Sequence, residues 1–201
     1  LRGNQVNRAL TNISADLAPG RVSAFVGPSG SGKSTALLAA AGLVRPSAGR
    51  VTPDRSRLRS RKLAAALGRV PQNPEHGFVA TTVRREIERT STRVGRTVDV
   101  DSVLAAVGLN TYGESHPYRL AGGEQRRLAM AAALAHRPEF VVLDEPTVGQ
   151  DHETWALVVG WLEAAAQAGA TVAISTHDRQ IATDTEFVLE QSGRLGQVVS
   201  K

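Results

Sequence analysis

The sequence predicts an α/β fold in which a mostly parallel sheet carries an inserted helical segment. Short apolar runs at 22–26, 140–143 and 171–175 have the pattern of parallel strands that are covered on both faces. Stretches with helical signals separate these runs, and alternation of strand and helix favours a parallel sheet. Residues 74–119 interrupt the alternation and contain only helical patterns, which predicts an insertion.

The predicted helices are recognised by their ends. An Ala- and Leu-rich helix over 33–41 stops at Gly42, because glycine adopts the left-handed conformation that closes many helices. A helix over 102–107 lies between Asp101 as N-cap and Gly108 as stop. The other helices, each with an Ala-rich or periodic pattern, are predicted at 82–90, at 125–136 and between the cap Asp151 and Gly169, and a fourth strand is predicted at 186–189.

Composition limits the class of protein. The chain contains no cysteine, which excludes disulfides and cysteine metal sites and suits a reducing cytosol. No apolar run approaches the roughly 18 residues that a membrane span needs, and the first residues lack a signal-peptide pattern. Because the chain starts at Leu1 rather than Met, we expect it to be cut from a longer protein.

Basic residues are unevenly distributed. Lys and Arg number 24 against 19 Asp and Glu, and seven of the basic residues crowd one stretch: Arg50, Arg55, Arg57, Arg59, Arg61, Lys62 and Arg69. The first interpretation of this stretch is a solvated basic surface. The more specific alternatives are contact with anionic lipid headgroups or with nucleic acid. No aromatic platform accompanies it, which argues against binding of single-stranded nucleic acid.

A phosphate-binding motif lies between the first strand and the first helix. It matches the pattern G-x-x-x-x-G-K-[ST]. Its glycines let backbone N–H groups point at phosphate oxygens, and the helix adds its positive N-terminal end. Lys33 suits the β- and γ-phosphates and Ser34 suits Mg²⁺. The motif therefore predicts a P-loop NTPase core, with ATP bound by Gly27, Pro28, Ser29, Gly30, Ser31, Gly32, Lys33, Ser34 and Thr35.

Polar residues at two other strand ends supply candidate catalytic groups. Asp144 and Glu145 follow the strand 140–143, and His177 follows the strand 171–175. Open α/β sheets bind ligands outside the carboxyl ends of their strands, so these loops should meet the phosphate loop in one site. Asp144 is suited to hold Mg²⁺, Glu145 to polarise the attacking water, and His177 to bond the γ-phosphate.

A second glycine-rich segment carries a family resemblance. Leu120-Ala121-Gly122-Gly123-Glu124-Gln125-Arg126-Arg127 resembles the signature of ATP-binding cassette (ABC) ATPases, usually L-S-G-G-Q or L-S-G-G-E. Further motifs follow the family's order and spacing: Gln72 after Val70-Pro71, Asp144-Glu145-Pro146-Thr147, Gly149-Gln150-Asp151 and Ser175-Thr176-His177. Over nearly its whole length, the chain resembles the nucleotide-binding domain of ABC transporters.

The resemblance implies a head-to-tail dimer with a second ABC ATPase domain, like or unlike, and two ATP molecules between the copies. Ala121, Gly122, Gly123 and Glu124 would then contact the partner's ATP. Gln72 would touch Mg²⁺ and the attacking water, and would link the site to a membrane-spanning subunit at the cytoplasmic face of the cell membrane.

The family architecture further implies one cassette with three parts. Residues 1–73 and 120–201 would form the nucleotide-binding core, residues 74–119 the helical subdomain that docks on the membrane subunit, and a small antiparallel β subdomain would accompany them. Three positions depart from the family. Ala121 replaces a serine and should weaken the site to which it contributes, Gln150 stands where leucine is common, and no adenine-stacking aromatic precedes Phe25.

One segment points to a subfamily. Gln72-Asn73-Pro74-Glu75-His76 resembles the Q-N-P-[ED] segment of energy-coupling-factor and cobalt-type importers, which implies uptake of a vitamin, a vitamin precursor or a metal ion. The alternative is a soluble ABC ATPase that acts on nucleic acid or ribosomes. The short gap between Gln72 and Leu120 has no sustained heptads, which argues against the coiled-coil members of that class. The presence of Lys33, Glu145 and His177 argues against a regulatory domain without turnover.

Overall fold

A computed structural model describes residues 9–148, 152–177, 181 and 183–200. Within these ranges the strands are β1 (Val22–Val26), β2 (Leu67–Val70), β3 (Phe140–Asp144), β4 (Thr171–Thr176), β5 (Thr185–Leu189) and β6 (Leu195–Ser200). The α-helices are α1 (Lys33–Ala40), α2 (Ser60–Ala66), α3 (Val83–Val94), α4 (Val100–Ala106), α5 (Gly122–Leu134) and α6 (His152–Gln167). Short 3₁₀ turns occupy Arg55–Arg57, Pro74–Gly77, Asn110–Tyr112 and Pro117–Arg119.

The described strands form one sheet in the order β2-β3-β4-β1-β5-β6. All neighbouring pairs are parallel except β5 and β6, which run antiparallel at one edge. This arrangement confirms the predicted α/β class with a mostly parallel sheet. Within the described residues, the antiparallel component is this edge pair, and it continues the same sheet.

The sheet is buried on both faces. Phe140 and Val142 of β3 belong to one apolar cluster, whereas Val141 and Leu143 belong to a second cluster on the opposite face. Side chains alternate between faces along a strand, so a strand that is covered on both faces is apolar at most positions. Helix α1 covers the first face with Leu37, and α5 and α6 contribute to the second cluster.

Residues 74–119 contain helices and 3₁₀ turns but no strand. The inserted helix α3 begins at Thr82, whose Oγ1 accepts a hydrogen bond from Arg85 N, and ends at Gly95 with φ of 79°. Its Val83 and Ile87 are fully buried in the same cluster as Leu128 of α5. The insertion therefore packs on the helix that follows the second glycine-rich segment.

The predicted cap of the next inserted helix was wrong. Helix α4 starts two residues earlier than the sequence indicated, because Asp99 rather than Asp101 accepts the hydrogen bond from Ser102 N, at 3.2 Å. Asp101 instead forms an ion pair with Arg84, with Nη2 and Oδ1 2.5 Å apart. The predicted stop is right, since Gly108 has φ of 64°.

Three elements were absent from the sequence-based prediction: α2, β2 and β6. Strand β2 was not predicted because Gly68 and Arg69 interrupt its apolar residues. A Cβ atom on Gly68 would lie 2.5 Å from the carbonyl oxygen of Ala133, so this glycine permits close approach of β2 and α5. The predicted cap Asp151 and the segment 149–151, including Gln150, lie outside the described residues.

Candidate functional site

Three strand ends lie side by side at one edge of the sheet. Strand β4 lies between β1 and β3, with Thr176 opposite Val26 and Ser175 opposite Asp144. The loops that leave these strands therefore emerge next to one another. This register brings the phosphate-binding motif, the acidic pair and the strand-end histidine into one place.

The phosphate loop has a backbone that only glycine adopts without strain. Gly27, Gly30 and Gly32 have φ of 150°, 80° and 93°, in the region that L side chains rarely occupy. A Cβ atom would lie 2.3 Å from the Leu189 carbonyl oxygen at Gly27, and 2.5 Å from the Ala9 carbonyl oxygen at Gly32. Both positions exclude any larger residue, so the curl of the loop is fixed by glycine.

Lys33 is held inside this loop. The residue is only 9% exposed, and its Nζ donates hydrogen bonds to the carbonyl oxygens of Gly27 at 2.9 Å and Pro28 at 3.0 Å. The same ammonium lies 3.9 Å from Glu145 Oε1. A fixed positive charge therefore lies between the loop and the acidic pair, where it can attract phosphate oxygens.

The remaining loop residues differ in exposure. Pro28, Ser29 and Gly30 are exposed, whereas Ser31 is fully buried. The hydroxyl of Ser31 has no hydrogen-bond partner in the described part of the chain. A buried hydroxyl without a partner is costly, and this one lies in the loop where a ligand oxygen could satisfy it. Thr35 follows on the first turn of α1 and is half-buried.

Two serines meet one carboxylate oxygen. Ser34 Oγ donates to Asp144 Oδ1 at 2.9 Å, and Ser175 Oγ donates to the same oxygen. Ser34 is exposed, so the pair of oxygens from Ser34 and Asp144 is open to solvent. Oxygen donors of this kind are the ligands that Mg²⁺ prefers, and the pair fits a magnesium ion.

Glu145 has a left-handed backbone with φ of 49°. Its N–H donates to both the carbonyl and the hydroxyl oxygens of Ser175, each at 3.0 Å, which holds this conformation. The carboxylate is 12% exposed and lies 3.0 Å from His177 Nδ1, while the histidine side chain is 68% exposed. The arrangement places an acid–base pair beside Lys33 with one side open to solvent.

Arg126 of α5 connects two of the loops. Its Nη2 donates to the Gln72 carbonyl oxygen at 3.1 Å, and its Nη1 donates to that of Glu145 at 3.4 Å. The residue is 6% exposed, and burial lowers the pKa of its guanidinium while the charge of Glu75 raises it. Arg126 therefore fixes the position of the Gln72 loop relative to Glu145.

Sequence reasoning missed the contributions of Arg126 and Ser175. For Ser175 a signal existed, because a hydroxyl residue in the apolar strand β4 needs a hydrogen-bond partner when buried. For Arg126 the sequence carries no signal of its own, since Arg at the start of a helix is ordinary. Its two acceptors are 19 and 54 residues away along the chain.

The structure does not bring every predicted residue into this site. Gln72 is exposed and contributes its backbone oxygen, as described above. In the second glycine-rich segment, Ala121 and Gly122 are exposed, and a Cβ atom on Gly122 would meet nothing within 4 Å. Across the fully described ranges 27–35 and 120–124, no hydrogen bond or ion pair joins the two segments.

The start of α5 is nevertheless well defined. Gly123 lies in its first turn and is half-buried. Glu124 Oε2 accepts a hydrogen bond from Ala121 N at 2.8 Å, and Ala121 has the extended backbone of an N-cap residue. The first N–H groups of the helix point towards solvent with the positive end of the helix dipole. Such a terminus can accept an anion.

No helix in the described ranges combines the length and the hydropathy that a bilayer span requires.

Comparison with known proteins identifies relatives for most of the chain. A family model described as "ABC transporter" matches residues 10–148. The energy-coupling factor transporter ATP-binding protein EcfA of Methanothermobacter thermautotrophicus is 36% identical over 200 residues, which span 93% of this chain. The match spans 64% of EcfA, slightly less than two thirds of that relative's length.

Solved structures have the same fold. One is a dimeric post-hydrolysis state of the ATP-binding cassette MJ0796 bound to ADP and Pi, with a TM-score of 0.83 and 25% identity, covering 96% of this chain and 90% of that one. Another is cbiO1 from Clostridium perfringens, described as part of the ABC transporter complex cbiONQ. Its TM-score is 0.77 at 26% identity, covering 96% of this chain and 82% of that one.

Proposed function

The chain belongs to the ABC transporter family of ATPases, and from that premise we propose that it binds and hydrolyses ATP to power a membrane transporter. The observation that carries the proposal is the convergence of Lys33, Glu145 and His177 at one edge of the sheet. Transfer of the γ-phosphoryl group to water needs cationic charge against the phosphates and a residue that orients the attacking water, and these three side chains are suited to those roles.

The triphosphate is bound by the phosphate loop. Backbone N–H groups that follow Pro28 in the loop surround the phosphate oxygens, the N-terminus of α1 adds its dipole, and Lys33 neutralises charge on the β- and γ-phosphates. The buried hydroxyl of Ser31 supplies a further contact. Because glycine fixes the backbone of the loop, the loop is shaped before the triphosphate binds.

Ser34 and Asp144 would hold a magnesium ion, with Gln72 as a third ligand, and the ion would supply positive charge against the transferred phosphoryl group. The hydrogen bond from Ser34 Oγ to Asp144 Oδ1 supports this set, since it places the two oxygens next to each other. Ser175 Oγ donates a second hydrogen bond to Asp144 Oδ1, which holds this carboxylate in place.

Glu145 polarises the water that attacks the γ-phosphate, and His177 orients it and bonds the phosphate. The two side chains lie 3.0 Å apart at the open side of the site. Hydrogen bonds from the backbone of Glu145 to Ser175 hold the carboxylate in place. Gln72 faces the same water, and its loop is tied to Glu145 through Arg126.

A second ABC ATPase domain completes each nucleotide site. Ala121, Gly122, Gly123 and Glu124 form an exposed helix start with no phosphate in its own chain to bind. In a head-to-tail dimer this segment faces the partner's ATP. The dimeric state of the structural relative MJ0796 supports the arrangement. Because Ala121 lacks the hydroxyl common in the family, the site to which it contributes binds ATP more weakly than a site that is completed by serine.

The transported solute belongs to the vitamins, vitamin precursors or metal ions, and transport is inward. Support comes from the segment 72–76 and from the names of the relatives, an energy-coupling factor ATPase and a component of cbiONQ. Residues 74–119 form the helical subdomain that docks on the membrane-spanning subunit, and 1–73 with 120–201 form the nucleotide-binding core. The chain works at the cytoplasmic face of the membrane.

The proposal is tested by expression with the membrane proteins encoded beside it. The chain should copurify with a membrane subunit, which should stimulate its Mg²⁺-dependent ATP hydrolysis, and Lys33→Ala should abolish that hydrolysis while the complex still forms. Stimulation by nucleic acid or ribosomes instead of a membrane subunit would favour the soluble alternative, for which the basic stretch is the supporting observation. Binding to nucleic acid would then fall steeply with salt.

A further inference from the structure

A second concave surface lies at the opposite end of α1 from the phosphate loop. It has a volume of about 410 Å³ and is lined by the end of α1 and the segment 44–57. Helix α1 has eight residues, so the two sites are separated by roughly 12 Å of helix. We call this surface the basic pocket, after the arginines that line it. None of its lining residues takes part in the nucleotide chemistry described above.

The pocket carries excess positive charge. Four arginines line it, namely Arg45, Arg50, Arg55 and Arg57, and the one carboxylate among its lining residues is Asp54. That carboxylate is already engaged: Oδ1 accepts from Ser56 N at 3.1 Å, and Oδ2 lies 2.9 Å from Arg57 Nε. Arg45 also interacts with the charge of Asp54, which leaves Arg50 and Arg55 without a carboxylate from the lining of the pocket.

Local packing holds one of these arginines in place. The Arg55 guanidinium carbon lies 4.6 Å from the centroid of the Phe140 ring, a cation–π contact. Burial lowers the pKa of Arg55, and the charge of Glu139 acts in the opposite direction. Gly42 has φ of 75°, and a Cβ there would lie 2.7 Å from that of Arg55, so glycine lets the segment pack against the end of α1. The pocket is a built feature of the fold.

Apolar residues accompany the charge. Val44, Pro46 and Val51 line the same pocket. Val44 is 40% exposed, and Leu43 and Leu58, which neighbour the lining residues in sequence, are 41% and 37% exposed. A site for a small hydrated anion needs no such surface. Arginines beside exposed aliphatic groups instead match a phosphate that is attached to an apolar moiety.

We propose that the basic pocket binds a phosphate-bearing anion, and that its apolar rim favours the headgroup of an anionic lipid as the source. The arginines would pair with phosphate oxygens in a forked geometry. The exposed aliphatic side chains would contact the glycerol and acyl region. This site would add an attachment to the membrane that does not depend on a protein subunit.

The test uses the whole chain and vesicles made of equal parts phosphatidylglycerol and phosphatidylcholine, with pure phosphatidylcholine as reference. We expect Arg45→Gln combined with Arg50→Gln to weaken sedimentation with the anionic vesicles about 30-fold, since each basic residue near such a surface contributes about a fivefold factor. The matched control is Arg59→Gln with Lys62→Gln, which removes the same charge from exposed positions outside the pocket. It should weaken binding less than about threefold.

A second arm separates a lipid from a free anion. Pyrophosphate binding is measured with saturating ADP, which occupies the phosphate loop, and retained ADP binding shows that both variants are folded. Equal losses in the two double variants, or no pocket-dependent binding of either probe, would overturn the proposal. Pocket-dependent binding of pyrophosphate without vesicle binding would retain the anion site and overturn the lipid as its source. Tighter pocket-dependent binding of duplex DNA than of vesicles would also overturn the lipid.

Discussion

The chain contains two glycine-rich segments that each begin a helix, and they are built in opposite ways. The phosphate loop ahead of α1 is closed on itself, with left-handed glycines, a buried Lys33 and a buried Ser31. The segment ahead of α5 is open, with Ala121 and Gly122 exposed and free space around Gly122. The first segment carries its own binding groups, whereas the second offers little more than a helix terminus.

This difference agrees with the proposed head-to-tail dimer, in which the two segments supply opposite sides of one nucleotide site. A closed loop with a fixed cation is complete within one chain. An exposed helix start becomes useful only when another molecule brings an anion to it. Arg126 links α5 to the acidic pair, because it lies in the first turns of this helix and donates hydrogen bonds to the carbonyl oxygens of Gln72 and Glu145.

The largest effect is expected at the acidic pair beside the closed loop. Glu145→Gln should lower ATP turnover by roughly 10²–10⁴, because the amide cannot accept a proton, while Mg–ATP binding stays near the wild-type value. Steady-state hydrolysis and equilibrium binding measure the two quantities. Glu163→Gln, at an exposed position on α6, serves as control and should change neither. Wild-type hydrolysis by the Glu145 variant would remove this residue from the mechanism.

Ser175 tests how firmly the acidic pair is held. Ser175→Ala removes a fully buried hydroxyl that donates to Asp144 and accepts from Glu145 N. Because one of these hydrogen bonds involves a charged group, the free energy of unfolding should fall by about 1.5–3 kcal/mol in urea titrations. Ser23→Ala, in the neighbouring strand β1 and 2% exposed, is the matched control. Similar losses in both variants would show that Ser175 acts only as a buried side chain.

His136, just beyond the C-terminal end of α5, makes stability depend on pH. It is 2% exposed, and burial lowers its pKa below the usual 6.5. The unfolded chain therefore binds a proton more readily than the folded chain. Full stability is present above about pH 6.5, and it should fall below that pH by up to about 1.4 kcal/mol per pH unit. Urea titrations at several pH values measure the slope.

Two histidine variants test the origin of this slope. His136→Gln should flatten the pH dependence of the free energy of unfolding between about pH 6.5 and the onset of carboxylate titration near pH 4. His76→Gln, at an exposed position, should leave the slope as in the wild type. An unchanged slope in the His136 variant would contradict the assignment.

The smallest effect concerns the open segment itself. Ala121 has N-cap geometry, and Glu124 already accepts from its backbone N–H, which is half of a capping box. Ala121→Ser should supply the other half and raise the free energy of unfolding by about 1 kcal/mol. Ala121→Val has no oxygen acceptor and should not stabilise the protein. If the serine variant gains nothing over the valine variant, the start of α5 is not limited by its cap.

The sequence allowed prediction of the elements whose signal is local. Strands β1, β3 and β4 are continuous apolar runs, and the motif at 27–34 lies where strand, loop and helix meet. Strand β6 was missed because four of its six residues are exposed or polar at the edge of the sheet. The start of α5 was placed three residues late, since glycine is a poor helix former and Gly122 signals a loop by itself.

The candidate site could be predicted in its residue types but not in its connections. Lys33, Asp144, Glu145 and His177 follow from motifs and strand ends. The roles of Ser175 and Arg126 depend on hydrogen bonds to residues that are distant in sequence. Such contacts are set by packing of β3, β4 and α5 together, and no local pattern encodes them.

The most direct test of the comparison is equilibrium binding of Mg–ATP at a concentration where the chain is monomeric. Lys33→Ala should weaken binding more than about 100-fold, because a buried charge partner of the phosphates is lost. Gly122→Asp should bind Mg–ATP within about threefold of wild type, since that residue has free space and no ligand in its own chain. Equal losses in the two variants, or wild-type binding by Lys33→Ala, would contradict the account.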